Sequence, residues 1–376
     1  MTVGAPLVFY ISGHGFGHAS RDIEVINTLG RRRPGVRILV RTTVPPWFFE
    51  QSAQVPMELQ QAEVDTGVVQ IDSLRLDEDA TARQAARFYA DFEGRVVREA
   101  AILRALGASL VVGDVPPLAF AAAHLAGVPS LALANFTWDW IYAAYPQFEH
   151  LAPGILALIR GAYGSATCAL RLPLGDGFEP MAAVTRNVPL VARRSRLGRA
   201  VARRAMELDG ELPIVLASFG GYGSGLSYDE VIREARFTLV ATDHEMPLAS
   251  TAAGRLRCFT RQALADRGLR YTDLVAAADV VVSKPGYGIV SECIANGPAL
   301  LYTSRGRFAE YDLLAAEMPR VLRCRYLPPE DLRAGRWADA VSALLGQSPP
   351  RSAMAINGAG VVADHILAMA GSRQDS

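Results

Sequence analysis

The sequence predicts an α/β fold of two doubly wound halves, each a parallel sheet with helices on both faces. Three observations predict it. Short unbroken apolar runs, the mark of strands buried on both faces, alternate with helical patterns. This alternation occurs twice, on either side of residues 190 to 210. In each half an apolar run leads directly into a glycine-rich turn that opens a helix. The chain has 376 residues, half of them apolar, which suits two domains better than one core. The expected division is 1–195 and 196–376, with the last helix able to cross back to the first half.

Leu7 to Ile11 is the first expected strand, followed by a helix over Ser20 to Leu29 with Arg31 to Arg33 at its C-terminal end. Val36 to Val40 is the next strand. Ala82 to Leu106 reads as one long helix, Ser109 to Val112 as a strand, Leu118 to Leu125 as a helix and Ser130 to Ala134 as a strand. The second half repeats the scheme with strands at Pro213 to Ser218, Phe237 to Ala241, Asp279 to Val282 and Ala299 to Tyr302. Ile289 to Asn296 reads as a helix stopped by Gly297 and Pro298, and Asp331 to Leu345 and Ala359 to Met369 as further helices.

Acidic and basic residues balance at 38 each, so no overall field favours nucleic acid. Lys284 is the sole lysine. The four cysteines form no CxxC pair, which argues against a zinc ribbon, a redox motif or a disulfide scaffold and suits a reducing cytoplasm. No secretory signal is read at the N-terminus. The most apolar region, Leu110 to Phe136, is interrupted by Asp114, three prolines and Gly127, unlike a membrane span. Seven arginines between Arg186 and Arg204 read as a solvated linker helix, or alternatively as a contact with anionic lipid or phosphate.

The first glycine turn, SGHGFGHASR, places Gly13, Gly15 and Gly17 between a strand and a helix. Glycines there allow close ligand approach, and the helix start offers free amides. A dinucleotide site would add an acidic residue after the second strand. Arg41-Thr42-Thr43 stands there instead, which disfavours NAD and leaves NADP as a rival through Arg41. His14 and His18 lie inside the turn, and histidine is the usual proton-transfer side chain near neutral pH. Each could equally hydrogen-bond the turn backbone. A metal at the two histidines lacks a third ligand.

In the second half, Lys284-Pro-Gly-Tyr-Gly288 opens a helix. Gly286 and Gly288 leave amides uncovered around Tyr287, an arrangement suited to a diphosphate. Glu292 lies about one and a half turns further in, where its carboxylate can accept both hydroxyls of a ribose. Ser218 to Gly225 (SFGGYGSG) offers a second bank of amides through Gly220, Gly221 and Gly223.

These segments resemble a known family. SGHGFGH followed by a helix is similar to the acceptor-domain loop of glycosyltransferase family 28. The closer resemblance is to the glycosyltransferase-like N-terminal region of L-arabinokinase-type proteins. It is carried by Tyr10 to Arg21, Val111 to Phe120, Asn135 to Tyr145, Ser218 to Gly225 and Val281 to Gly306. The resemblance implies a GT-B architecture, two Rossmann-like domains facing each other across a cleft, and a sugar-nucleotide fold rather than a kinase activity, since the chain stops soon after the second half. It implies that Glu292 binds the ribose, that SFGGYGSG caps the phosphates and that Glu310, in Ser304 to Tyr311, meets the donor sugar.

The resulting expectation is a glycosyltransferase that moves a sugar from a nucleotide-sugar, a UDP-sugar foremost, to an acceptor hydroxyl. His18 is the expected base, oriented by Asp114, whose alternative role is to stabilise the turn before Pro116. Inversion at the anomeric centre and independence of metal and cofactor are expected. Asp77 and Asp79 form a DxD in what reads as an unanchored loop. His14, Phe16, Asn135, Trp138 and Asp139 are the expected acceptor contacts, and the acceptor is a small molecule or lipid-linked. Pro45 to Phe49 reads as an apolar loop that lines an aglycone pocket, touches a membrane or joins the core. The alternatives are a sugar-nucleotide epimerase, which needs further acid–base carboxylates, and a sensor that binds the donor without turnover.

Overall fold

A computed structural model of the chain describes residues 4–72, 74–208, 210–219, 226, 228–233, 235–242, 255–350 and 352–371. The chain separates into two compact units. Unit 1 comprises residues 1–69, 77–191 and 355–376, and unit 2 comprises 70–76 and 192–354.

Unit 1 begins with β1 (Leu7–Ile11), α1 (Gly17–Arg32), β2 (Ile38–Thr42), α2 (Pro46–Ser52) and β3 (Glu58–Gln61). There follow α3 (Glu78–Tyr89), α4 (Phe92–Leu106), β4 (Leu110–Asp114), α5 (Pro117–Ala126) and β5 (Ser130–Ala134). Short helices α6 (Trp138–Ala143), α7 (Gln147–Leu151) and α8 (Ile155–Tyr163) precede β6 (Cys168–Arg171) and β7 (Thr185–Asn187). The seven strands are parallel, in the order β3-β2-β1-β4-β5-β6-β7.

Unit 2 holds α9 (Arg199–Ala205), β8 (Ile214–Ala217), α10 (Tyr228–Arg233), β9 (Thr238–Thr242), β10 (Leu256–Phe259), α11 (Arg261–Asp266) and α12 (Tyr271–Ala277). Then come β11 (Val280–Ser283), α13 (Tyr287–Asn296), β12 (Ala299–Tyr302), α14 (Glu310–Val321), β13 (Cys324–Tyr326), α15 (Pro329–Arg333) and α16 (Ala338–Leu345). Its sheet is also parallel, in the order β10-β9-β8-β11-β12-β13. The last helix, α17 (Gly358–Gly371), returns to unit 1 and packs on α1.

Strand β1 shows why its residues are all apolar. Leu7, Phe9 and Ile11 enter one core cluster, beside residues of α1 and α17. Val8 and Tyr10 enter another on the opposite face, with Leu103 of α4 and Ala119, Ala122 and Ala123 of α5. Successive side chains of a strand point to opposite faces. A continuous apolar run is therefore what a doubly covered sheet requires.

The structure departs from the sequence reading in several places. Ala82 to Leu106 is not one helix: α3 and α4 are separated at Ala90 and Asp91. Across the interruption the rings of Phe88, Tyr89 and Phe92 lie in sequence, with centroids 5.1 and 5.3 Å apart. Asp331 to Leu345 likewise divides into α15 and α16, around Gly335 with its φ of +70°. Asp77 and Asp79 lie at a helix start rather than in an unanchored loop: Asp77 caps α3 by accepting the Ala80 amide at 2.8 Å, and Asp79 pairs with Arg83. Pro45 to Phe49 is no loop, since Pro46 starts α2, but of its expected roles the core one holds, with Phe48 and Phe49 buried in it. Arg41 is held by Glu99 at 2.7 Å and Gln60 at 2.5 Å, which engages the guanidinium on which the NADP reading depends.

The arginine-rich stretch is not a uniformly solvated face. Arg199 and Arg203 both pair with Asp279, at 3.2 and 2.7 Å, and Arg193 pairs with Glu292. Among the described residues, no helix is long and apolar enough to cross a membrane.

Candidate functional site

In open parallel sheets, ligands bind beyond the carboxyl ends of strands where the chain order reverses. In unit 1 that point lies between β1 and β4, whose ends are in register at Ile11 and Asp114. In unit 2 it lies between β8 and β11, which end beside Ser218 and Ser283. The candidate residues fall at these two points.

His18 is the second residue of α1 and is buried. Its Nδ1 lies 2.8 Å from Asp114 Oδ1. Asp114 is fully buried at the end of β4. With the Nδ1 proton donated to this carboxylate, Nε2 keeps its lone pair, the tautomer a general base requires. Asp114 is held in turn by Arg21, one turn along α1. The guanidinium donates from Nε to Oδ2 at 2.7 Å and from Nη2 to Oδ1 at 2.5 Å. Such a fork fixes a carboxylate in plane and position. Burial alone would push the Asp114 carboxyl up, but Arg21 and His18 hold it below its ordinary value.

A second carboxyl lies in the same place. Asp22 is fully buried, and neither of its oxygens accepts a hydrogen bond from a described residue. Burial, followed by the charge of Asp114, pushes it well above its ordinary value, against a smaller opposite effect of Arg21. Burial and the neighbouring Asp114 charge thus both favour the protonated form of Asp22.

The remaining expected acceptor residues are arranged behind and beside this pair. Asn135 follows β5 and is buried; its Oδ1 accepts from Arg21 and its Nδ2 donates to Pro173 O at 2.7 Å. Trp138 is buried and donates from Nε1 to Asp65 Oδ2 at 2.8 Å. Asp139 is buried and accepts from Arg160 at 3.0 Å. All three are thus bonded within unit 1, which gives them a scaffolding part that the sequence reading did not assign. His14 is half-buried: the Val68 amide donates to its Nδ1 at 3.2 Å, and its ring stands edge-on to Trp138 with centroids 5.5 Å apart. Phe16 is stacked on Phe48 at 4.8 Å, so it joins α1 to α2.

Asp65 was not anticipated. It follows β3, accepts from Trp138 and Ser12, and is pushed by burial up to about 6. A lone aspartate in a connecting segment has no spacing pattern that marks it. Arg21 was hidden for another reason: a single arginine in a helix reads as surface charge.

In unit 2, Gly286 caps α13 in an extended conformation, with no side-chain cap and no acidic residue in the first turn. A Cβ built on Gly286 would meet nothing nearer than Arg305 Nη1 at 4.0 Å, so the backbone there is uncovered. Tyr287 and Gly288 form the first turn, and Lys284, half-buried, lies between β11 and the cap. Amides at a helix start with no acidic neighbour suit an anion. Ser218 is bonded into the sheet end: its amide donates to Val282 O at 2.9 Å, and its carbonyl accepts from Ser283 Oγ. Gly220, Gly221 and Gly223 lie outside the described residues.

Both expected donor-half carboxylates are buried, and each carries an arginine on one oxygen. Glu292 Oε1 accepts from Arg193, and Glu310 Oε1 accepts from Arg305 at 2.6 Å. Arg305 also lies 3.7 Å over the Phe308 ring.

No protein-family model matches the chain. L-arabinokinase of Arabidopsis thaliana is 30% identical to it over 377 residues, an alignment that covers 96% of this chain and 34% of that protein. The chain thus spans about a third of that relative's length. Among solved structures, the calicheamicin glycosyltransferase CalG4 superimposes with a TM-score of 0.60 at 18% identity, covering 97% of this chain and 98% of that one. UGT2 of Phytolacca americana, solved with UDP-2-fluoro-glucose and pterostilbene, superimposes with a TM-score of 0.58 at 13% identity, covering 98% and 94%. The chain therefore has the GT-B fold of these glycosyltransferases.

Proposed function

We propose that the protein is a nucleotide-sugar-dependent glycosyltransferase whose general base is His18. The observation that carries this reading is the 2.8 Å contact between His18 Nδ1 and Asp114 Oδ1 at the sheet's switch point. The acceptor hydroxyl loses its proton to His18 Nε2 as its oxygen bonds to the anomeric carbon of the donor. The bond from that carbon to the diphosphate oxygen breaks, and the nucleoside diphosphate leaves with the electron pair. Attack opposite to the leaving group inverts the anomeric centre. Unit 2 would bind the donor: the α13 amides meet the diphosphate, Glu292 the ribose and Glu310 the sugar, with a UDP-sugar the first candidate. The helix start and Lys284 supply positive potential where the diphosphate charge develops, so the scheme calls on no metal or cofactor.

The test combines a thermal-shift panel of nucleotide-sugars with single-turnover kinetics. A bound donor raises the melting temperature. His18→Ala should bind the donor normally and transfer about 10²–10⁴-fold more slowly. Full-rate transfer by that variant would remove His18 from the chemistry, and binding without turnover under any acceptor would favour a sensor. Asp65 gives one observation in favour of an epimerase, since it adds a titratable carboxyl near His18. Chromatography that shows an epimeric sugar nucleotide, with no acceptor consumed, would establish that alternative.

A further inference from the structure

The stretch after residue 191 is expected from sequence to be a solvated linker, yet its first residues are built into unit 2. Arg193 has a side chain 16% exposed, and it places two guanidinium nitrogens on a single oxygen of Glu292. Nε lies 2.8 Å from Oε1, and Nη2 reaches the same atom. The backbone around Arg193 is fastened as well. Asn296, one turn beyond Glu292 on α13, donates from Nδ2 to Arg193 O at 3.1 Å and to Glu292 O at 2.9 Å. The Ser195 amide donates to Asn296 Oδ1 at 2.8 Å, and Ser195 Oγ donates to Asp273 Oδ1 at 2.5 Å. Side chains of α12 and α13 thus fasten residues 193 to 195. Long arginine side chains lose much rotamer freedom when held, so a single defined geometry needs such support.

The geometry has a chemical consequence. Glu292 is 3% exposed, and a buried carboxylate needs a counter-charge. Arg193 supplies it while engaging only Oε1, which leaves Oε2 as the oxygen able to accept from a ligand. The Glu292 charge also reaches Tyr271, whose hydroxyl is bonded to Ser218 Oγ at the end of β8. Arg193 and Glu292 thus form one bonded pair in unit 2, and Tyr271 and Ser218 another at the end of β8.

We infer that Arg193 is a positioning residue of the nucleotide site, which sets Glu292 to read a ribose diol and so makes the site select ribonucleotides over 2′-deoxyribonucleotides. The inference rests on the proposed ribose role of Glu292. Loss of one hydrogen bond to a charged acceptor weakens binding by about tenfold or more. That factor is the expected ribose preference of the wild-type protein.

The experiment is calorimetry on the full chain with the four ribonucleoside diphosphates and their 2′-deoxy counterparts. It compares wild type with Arg193→Met, Arg193→Lys and Glu292→Gln. For the ribonucleotide that binds, Arg193→Met should lose about tenfold in affinity and most of the ribose preference. Arg193→Lys should recover part of both, because an ammonium keeps the charge without the two-pronged grip. Glu292→Gln should lose both. If Arg193→Met keeps wild-type affinity and preference while Glu292→Gln loses them, the inference fails and the ribose reading of Glu292 survives. Tighter binding by Arg193→Met also overturns it, since the arginine would then compete with the ligand. No ribose preference in the wild type, together with an unimpaired Glu292→Gln, removes both the inference and the reading beneath it. Should Arg193→Met not fold, Arg193→Lys with unchanged affinity and preference is overturning, because lysine cannot reproduce the paired contact on Oε1.

Discussion

Arg21 and Asp114 meet as a two-pronged pair: Nε bonds Oδ2 at 2.7 Å and Nη2 bonds Oδ1 at 2.5 Å, with both side chains less than a tenth exposed. Removing one partner of such a pair leaves the other charge buried and alone, which costs about 3–5 kcal/mol. Arg21→Met should therefore unfold at markedly lower temperature or denaturant. The double variant Arg21→Met, Asp114→Asn should regain part of the loss, because no unbalanced charge remains. Thermal and urea unfolding of the three proteins checks this. An Arg21→Met protein within about 0.5 kcal/mol of wild type, the range of neutral surface changes, would refute it.

Asp65 gives a pH dependence with a definite sign. Burial raises its carboxyl to about 6 in the folded chain, above its value in an unfolded one. The folded state therefore binds this proton more tightly, and the contribution of Asp65 falls as pH rises from about 4 to about 6, by about 3 kcal/mol in all, and is level above. Asp65→Asn keeps an oxygen for Trp138 and removes the titration. Its melting temperature relative to wild type should climb across that window and then stay constant. A difference independent of pH from 4 to 7 would refute the assignment.

Lys284 lies just before the α13 cap, in a chain that uses arginine everywhere else. A compact ammonium can approach a phosphate as a point charge, whereas a guanidinium needs a planar face. Lys284→Arg should lower donor affinity or turnover by about tenfold while leaving the melting temperature unchanged. Calorimetry and kinetics at wild-type levels would mean that the position needs only a positive charge.

Gly175 faces Asn135 so closely that a Cβ would lie 1.7 Å from Asn135 O. The obstacle is backbone and cannot rotate away. Asn135 holds Arg21, so Gly175→Ala should destabilise the chain by about 1–3 kcal/mol and slow transfer in proportion to the displacement of Arg21. A variant with wild-type stability would show that the segment shifts freely.

How far the chain could be read in advance follows from the physics of each feature. Strands such as β4, expected over Ser109 to Val112, and Ala299–Tyr302 were legible because burial on both faces demands apolar runs such as Leu110 to Val112. The break between Tyr89 and Phe92 was not, because neither Ala90 nor Asp91 is a helix-stopping residue. His18 and Asp114 were legible as candidates because His18 opens the helix after the first glycine turn and Asp114 ends a strand of the same sheet. The bonds from Arg21 to Asp114 and from Trp138 to Asp65 join distant segments, which no local spacing encodes. Arg193 was obscured by its neighbours: a run of arginines suggests solvent, and only a fold reveals which member turns inward.

The return of α17 to unit 1 has a bearing on how this chain can be cut. Leu190 and Ala355 flank the excursion through unit 2, and they are joined by a hydrogen bond of 3.0 Å from Leu190 N to Ala355 O. A second bond of 3.0 Å runs from Gly358 N to Leu190 O. The two ends of the excursion are thus neighbours, as in a domain inserted into a host. Removing everything after residue 354 would strip α17 from α1, the helix that bears His18. A splice of a few residues from 191 to 355 would instead leave the host's own covering in place, and it offers the shorter path to expressing unit 1 alone.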